Sequence, residues 1–232
     1  MKQIPNFITC LNLAAGFIAS ILAANGNLTA ASWFIVAAMI FDFCDGFSAR
    51  LLKAYSETGK ELDSLADVIS FGVAPAMIVY RLINNSVAEE SLPSFISYIP
   101  VIMPVCAALR LAIFNTDPSQ ASSFRGLPTP ANAIAVISIV IASEYSQLPV
   151  LGSFIRSPWA LIVYTLLLSV LMVTRIPLLS LKIKNLKFRG NEGRFILGGL
   201  IVISFIFLGF ASTLLIIPYY IIVSLVEKAY TT

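Results

Sequence analysis

Four carboxylates carry the chemical interest of this 232-residue chain: Asp42, Asp45, Asp63 and Asp67, out of only five aspartates in all. They fall within residues 41–67, which read Phe-Asp-Phe-Cys-Asp-Gly-Phe-Ser-Ala-Arg, then an eight-residue link, then Gly-Lys-Glu-Leu-Asp-Ser-Leu-Ala-Asp. Asp42 and Asp45 close one apolar run and Asp63 and Asp67 open the next, so a helical hairpin would bring two carboxylate pairs together. Helical spacing puts Asp42, Asp45, Gly46 and Ala49 on one face, and Gly59, Asp63, Ala66 and Asp67 on another. The small residues between the acids are expected to let the two backbones approach and to leave room for a ligand.

Clusters made only of carboxylate oxygens favour hard cations such as Mg²⁺ or Mn²⁺ over zinc or copper. Two such ions about 3.5–4 Å apart form a clamp suited to displacement at phosphorus, holding a diphosphate and its leaving oxygen. A neighbouring carboxylate can then take the proton of an attacking hydroxyl.

The elements that must position these acids are membrane spans. Hydrophobic residues make up 58% of the chain and charged residues 12%, with a mean hydropathy of +0.90, against a charged share of about 25% in soluble domains. Apolar runs of about 20 residues recur almost throughout. The expected fold is an all-α polytopic membrane bundle forming one domain over residues 1–232. Its eight spans lie near 8–25, 31–51, 61–84, 95–115, 130–146, 158–180, 195–211 and 212–228. The last two are separated only by a tight Gly209-Phe210-Ala211-Ser212 turn and the fifth is short, so six or seven spans are also compatible with the pattern.

With the amino terminus inside, all fifteen basic residues except Arg81 and Arg156 fall at inner ends or loops, as the retention of positive charge on the cytoplasmic side requires. Both termini and the 51–60 linker are then cytoplasmic, and the acidic box opens where nucleotides are available. The basic segment 182–194 reads as a topology anchor on anionic lipid.

Placing carboxylates in a bilayer costs roughly 2.5–3.5 kcal/mol each even on the lenient scale. Either some are protonated or divalent cations neutralise them. A salt network with Arg50, Lys53 and Lys60 would also account for the charges, but not for Gly46, Ala49 and Gly59.

Other chemistry is limited by composition. Cys10, Cys44 and Cys106 are odd in number, widely spaced and within apolar runs, which supports neither a disulfide framework nor a zinc cluster; buried packing is the expected role of all three. The chain has no histidine, so no His-centred triad or His proton shuttle exists. Asn6, Thr9 and Asn12 lie near one face of the first helix, where capping and headgroup contact would explain them. The helices beyond about residue 150 read as packing surface, with Trp159, Tyr219 and Tyr220 as interface anchors.

The run Asp42-x-x-Asp45-Gly46-x-x-Ala49-Arg50, eight residues, Gly59-x-x-x-Asp63-x-x-x-Asp67 resembles, without a gap, the motif of the CDP-alcohol phosphotransferases. That resemblance implies an integral membrane enzyme with a six-helix catalytic core, here about residues 1–180, followed by two further helices. Such enzymes move a substituted phosphate from a CDP-linked lipid or alcohol to a second alcohol and release CMP. Carried over by position, Asp42, Asp45, Asp63 and Asp67 would be metal ligands, with Asp67 also the general base. Gly46, Ala49 and Gly59 would leave space for the nucleotide, and Arg50 and Lys60 would lie near phosphate. The family's amino-terminal element is similar to Pro5-Asn6-Phe7-Ile8-Thr9, making Asn6, Thr9 and Asn12 nucleotide contacts. A homodimer in a bacterial or archaeal cytoplasmic membrane is implied as well.

Three segments, residues 59–76, 109–115 and 124–130, are similar to the serine-accepting branch of that family, which would take CDP-diacylglycerol and L-serine. Arg110 offers a planar bidentate donor set for the serine carboxylate, and Asn115 a carbonyl for its ammonium. Arg125 could hold serine or a lipid phosphate; as topology markers alone the two arginines would need no site. The branch often has a second arginine where this chain has Ile113, and a polar or basic residue where it has Phe47. Glycerol phosphate or inositol phosphate as acceptor, and a cation transporter from another class, are the competing readings. The transporter is disfavoured by the lack of a second copy of the acidic pattern.

Overall fold

The computed structural model describes residues 3–117, 124–179 and 191–231, without the side chains of Phe124, Arg125 and residues 229–231. The expected basic anchors Lys2, Lys182, Lys184, Lys187 and Arg189 lie outside the described residues. Helices α1 (Gln3–Ala24) and α2 (Leu28–Leu51) pack along one another. Ala15, Ala19 and Ala23 on α1 and Ala31 and Ala38 on α2 are all buried, and such small side chains let helix axes come close without lost packing. Asn27 caps α2 by accepting a hydrogen bond from the Ala30 amide at 3.2 Å. Past the end of α2 the backbone turns at Lys53, whose φ of 49° is left-handed, and Ser56 caps the next helix by accepting from the Gly59 amide at 3.0 Å.

That next helix is one run, Glu57–Glu89, in three parts: α3 (Glu57–Asp67), a π-helical segment Val68–Val73, and α4 (Ala74–Glu89). The wide turn has a local cause. Pro75 has no N–H to give the Phe71 carbonyl one α-turn back; the Ala74 amide instead reaches the Ile69 carbonyl, the five-residue step of a π turn. The freed Phe71 carbonyl accepts from Asn132 Nδ2 at 3.0 Å, so an apolar span keeps no orphaned carbonyl there. Two glycine contacts seat this segment: a Cβ on Gly16 of α1 would collide with Ser70, and one on Gly72 would press on Pro104 and Ala107.

A 3₁₀ segment Ser94–Val101 leads into α5 (Ile102–Thr116). Strand β1 (Phe124–Arg125) pairs antiparallel with β2 (Pro177–Leu178), Phe124 opposite Leu178 and Arg125 opposite Pro177. Between them run α6 (Thr129–Tyr145), α7 (Pro149–Arg156) and α8 (Pro158–Val173). Helix α6 is the axis of the bundle: it is buried almost all round, from Ala131 to Ala142 with only Ile134 partly open. Helices α9 (Glu192–Leu208) and α10 (Ile216–Thr231) are joined by a 3₁₀ segment, Gly209–Leu215.

By length and composition, five helices among the described residues can cross a membrane, or six if α7 and α8, bent by 86°, count as one span. Eight expected spans therefore become fewer full-length ones, for physical reasons. Helix α6 has 17 residues, about 25 Å at 1.5 Å per residue, which is short of a hydrocarbon core. The expected 158–180 span is cut by the end of α8 at Val173. The last two are separate arms parted at Gly209, as expected, but at 17 and 16 residues each is short for a full crossing. The arms fold back on each other. Ser204 Oγ and Tyr219 OH share a hydrogen bond of 2.9 Å, Gly193 abuts Val223 and Glu227, and Gly209 reverses the chain at φ 54°, a conformation that favours glycine.

Large apolar side chains such as Phe207 and Val150 stand 81% and 79% exposed, which suits contact with lipid rather than water. Three expectations about single residues change. Cys10 is exposed and Cys44 only half-buried, leaving Cys106 as the buried cysteine. Tyr220 is 2% exposed and its hydroxyl donates to the Leu179 carbonyl at 2.9 Å. Tyr220 is thus interior, not an interface anchor, because α10 turns that face inward; Tyr219 is half-buried on Ser204, while Trp159 is 59% exposed.

Candidate active site

One ligand oxygen from each of Asp42, Asp63 and Asp67 lies within 4.8 Å of the others. Asp42 comes from α2, and Asp63 and Asp67 from successive turns of α3, so the sequence pattern and its hairpin bring these three together. Asp67 is 8% exposed and Asp45 5% exposed, one turn from Asp42 on α2, while Asp42 and Asp63 are half-buried. Like charges this close in a low-dielectric interior repel strongly unless a proton or cation is shared among them.

The site fits a cation on two counts. Asp45 Oδ2 and Asp67 Oδ1 are buried without a hydrogen-bond partner among the described residues, which leaves lone pairs that an ion would satisfy. The donors are all carboxylate oxygens, the set that hard divalent cations take. The aspartate triad can therefore hold a metal ion.

Helix α1 lines the box from the side. Thr9 is buried, donates to the Pro5 carbonyl at 3.0 Å and faces Asp45. Asn6 Oδ1 abuts Gly59, where a Cβ would stand 2.9 Å away. Asn12 is fully buried with Oδ1 and Nδ2 unpartnered among the described residues, while its backbone carbonyl accepts from Ser70 Oγ at 3.0 Å. Of these three, Thr9 and Asn6 sit against Asp45 and Gly59, and Asn12 keeps unpartnered polar atoms among the described residues. The glycines divide the role expected of them. A Cβ on Gly46 would meet nothing within 4 Å, so Gly46 leaves open space rather than a close helix approach. Gly59 is the tight one, but against α1 instead of α2. Ala49 is half-buried and Arg50 exposed at the end of α2.

From the opposite side α5 contributes Arg110, 6% exposed and electrostatically coupled to Asp67. Asn115 and Lys60 tie α3 to α5: Asn115 Nδ2 donates to Ser64 Oγ at 2.8 Å, and Lys60 Nζ to the Asn115 carbonyl at 3.2 Å. Asn115 keeps its side-chain oxygen for another donor. The Arg125 side chain lies outside the described residues, but its backbone is fixed in β1. An apolar cavity of about 360 Å³ between α6, α7, α8 and α10, lined by Leu151, Phe154, Tyr164 and Ile217 among others, has no acidic residue and lies apart from this chemistry.

Sequence reasoning missed the π segment, Asn132 and Tyr220. Pro75 inside an apolar run and Asn132 as a lone amide in α6 were the available signals for the first two; no pattern pointed to Tyr220.

An acidic box between two helices of a polytopic bundle, flanked by an amide-bearing amino-terminal helix, is a set of groups suited to holding a cation beside a phosphate. The chain belongs to the CDP-alcohol phosphatidyltransferase family, whose model matches residues 2–223. Among its relatives, the CDP-diacylglycerol–serine O-phosphatidyltransferase of Bacillus subtilis is 35% identical over 175 residues, 74% of this chain and 89% of that protein. The enzyme of the same name from Mycobacterium leprae is 34% identical over 186 residues, covering 77% of this chain but 58% of the relative. The archaetidylserine synthase of Methanothermobacter thermautotrophicus is 35% identical over 153 residues, 62% of this chain and 60% of that protein.

Proposed function

We propose that this chain transfers the phosphatidyl group of CDP-diacylglycerol to the hydroxyl of L-serine, giving phosphatidylserine and CMP. The observation that carries the reading is the meeting of Asp42, Asp63 and Asp67 within 4.8 Å across two helices. The choice of serine is supported by the names of the Bacillus and Mycobacterium relatives.

Two divalent cations, Mg²⁺ or Mn²⁺, held by Asp42, Asp45, Asp63 and Asp67 would supply positive charge against the diphosphate and its leaving oxygen. Asn6, Thr9, Asn12, Gly46, Ala49 and Gly59 bed the nucleotide, with Arg50 and Lys60 at the phosphate rim. Arg110 and Arg125 hold the serine carboxylate, and the Asn115 side-chain oxygen receives its ammonium. Asp67 accepts the hydroxyl proton as the serine oxygen bonds to the lipid-side phosphorus. The bond from that phosphorus to the CMP oxygen breaks, and its electron pair leaves with CMP.

The chain acts as one membrane-embedded domain of residues 1–232, with a catalytic core of about 1–180 and two added helices at about 195–228. It works as a homodimer in a bacterial or archaeal cytoplasmic membrane, both termini and the box facing the cytoplasm. Purified protein given CDP-diacylglycerol and a panel of serine, glycerol phosphate and inositol phosphate is expected to release CMP with serine and to form serine-labelled lipid. CMP release with another acceptor and none with serine would sink the assignment; no CMP at all, with cation flux in vesicles, would favour a transporter.

A further inference from the structure

Helix α10 holds one peptide at the edge of the two-stranded ladder. Tyr220 OH donates to the Leu179 carbonyl at 2.9 Å, and the Leu179 amide donates to Ser224 Oγ at 3.0 Å. Tyr220 and Ser224 are one helical turn apart, on the same face, and both are buried, at 2% and 3% exposure. They grip both polar groups of a residue adjoining β2.

What that grip controls follows from the ladder. Strand β2 pairs with β1, setting Arg125 opposite Pro177. Immediately after β1, the Gly126 amide donates to the Ile176 carbonyl at 2.8 Å and the Leu127 amide to the Leu171 carbonyl at 2.9 Å. Gly126 has φ +75° and sits against the carbonyls of Met172 and Thr174, so no larger residue fits there. From this clip α6 begins, and Asn132 on its first turns bonds the Phe71 carbonyl, one turn beyond Asp67. Hydrogen bonds alternating with short stretches of backbone therefore link α10 through β2, β1 and the start of α6 to the helix that carries Asp67.

We propose that Tyr220 and Ser224 are positioning residues for the acceptor alcohol, holding the β1–β2 clip, and with it the Arg125 backbone and the start of α6, in place relative to the helix that carries Asp67. This rests on the phosphatidyl-transfer reading above and gives the carboxyl-terminal helix pair a role in that reaction. The nucleotide is bedded on α1, α2 and α3, which α10 does not grip, so the two substrates are affected unequally.

The test is full kinetics of Tyr220→Phe and Ser224→Ala in the full-length protein, varying acceptor and CDP-diacylglycerol separately. Loss of one such hydrogen bond should raise the KM for serine about three- to tenfold. The KM for CDP-diacylglycerol and kcat at saturating serine should stay near wild type, while the melting temperature falls by a few degrees because one polar group of the Leu179 peptide loses its partner. A serine KM unmoved in both variants overturns the proposal, as does a parallel loss at both substrates, which is what general loosening of the bundle would give. Should the wild type prefer another acceptor, the functional reading fails by itself; the variants are then read on the KM for that acceptor, and the clasp falls only if it too is unmoved.

Discussion

At the residue scale the structure turns on how four acids are tolerated in an apolar bundle. Asp45 and Asp67 are nearly inaccessible and each keeps a buried oxygen without a hydrogen-bond partner among the described residues, so binding of a cation is worth more to them than any single rearrangement of neighbours. Asp67→Asn keeps shape and burial but loses the proton acceptor. Turnover, followed as serine-labelled lipid, should fall by about 10²–10⁴-fold, the range of general-base catalysis. Under a chelator the same variant should melt at or above the wild-type temperature, since one of four crowded like charges is gone. Retained turnover in Asp67→Asn would show that another group takes the proton.

At the element scale the decisive feature is the Glu57–Glu89 run, in which α3 presents Asp63 and Asp67 and the π segment sets their angle relative to α4. Asn132→Leu removes the donor to the Phe71 carbonyl and leaves it unsatisfied inside the bundle, at a cost of about 1–3 kcal/mol. A melting temperature lower by several degrees, with activity reduced at the same time, is the expected result in thermal unfolding and CMP-release assays. Much of this was legible beforehand. The acids, their hairpin and α1 to α6 follow from apolar run lengths and helical spacing, because those signals are local. The π turn was not, since Pro75 alone does not say whether a helix ends, kinks or widens; the answer depends on Asn132, 61 residues along the chain from Phe71. Tyr220 was misread for a related reason: a tyrosine near the end of a hydrophobic run looks the same whether its face meets headgroups or the Leu179 peptide. Gly46 was expected both to let the helices approach and to leave room for a ligand; it leaves open space, and spacing alone does not say which of the two a small residue does.

For the whole molecule, the expected outcome of removing divalent cations is complete loss of CMP release, restored by Mg²⁺ or Mn²⁺ in a titration. Activity that survives exhaustive chelation would remove the acidic box from the chemistry. Orientation is testable on the linker between α2 and α3. Tyr55 is 69% exposed there, and Tyr55→Cys in a cysteine-free background should react with an impermeant thiol reagent only from the cytoplasmic face. Glu90→Cys, exposed in the turn after α4, should react only from the other. The opposite pattern would invert the bundle and cut the box off from cytoplasmic nucleotide.

The widened turn at Val68–Val73 has a genetic corollary. An ordinary α-helix advances about 100° per residue, so deleting a single codon inside that stretch could restore a regular spiral and ease the backbone locally. The wide turn takes up about one extra residue, so the helix on either side would keep nearly the same angle about its axis, and Asp63 and Asp67 would still aim at Asp42. The reaction should therefore survive a one-residue loss there, whereas the same loss between Asp63 and Asp67, where the α-helix has no such slack, would turn one acid by about 100° away from the other and abolish it.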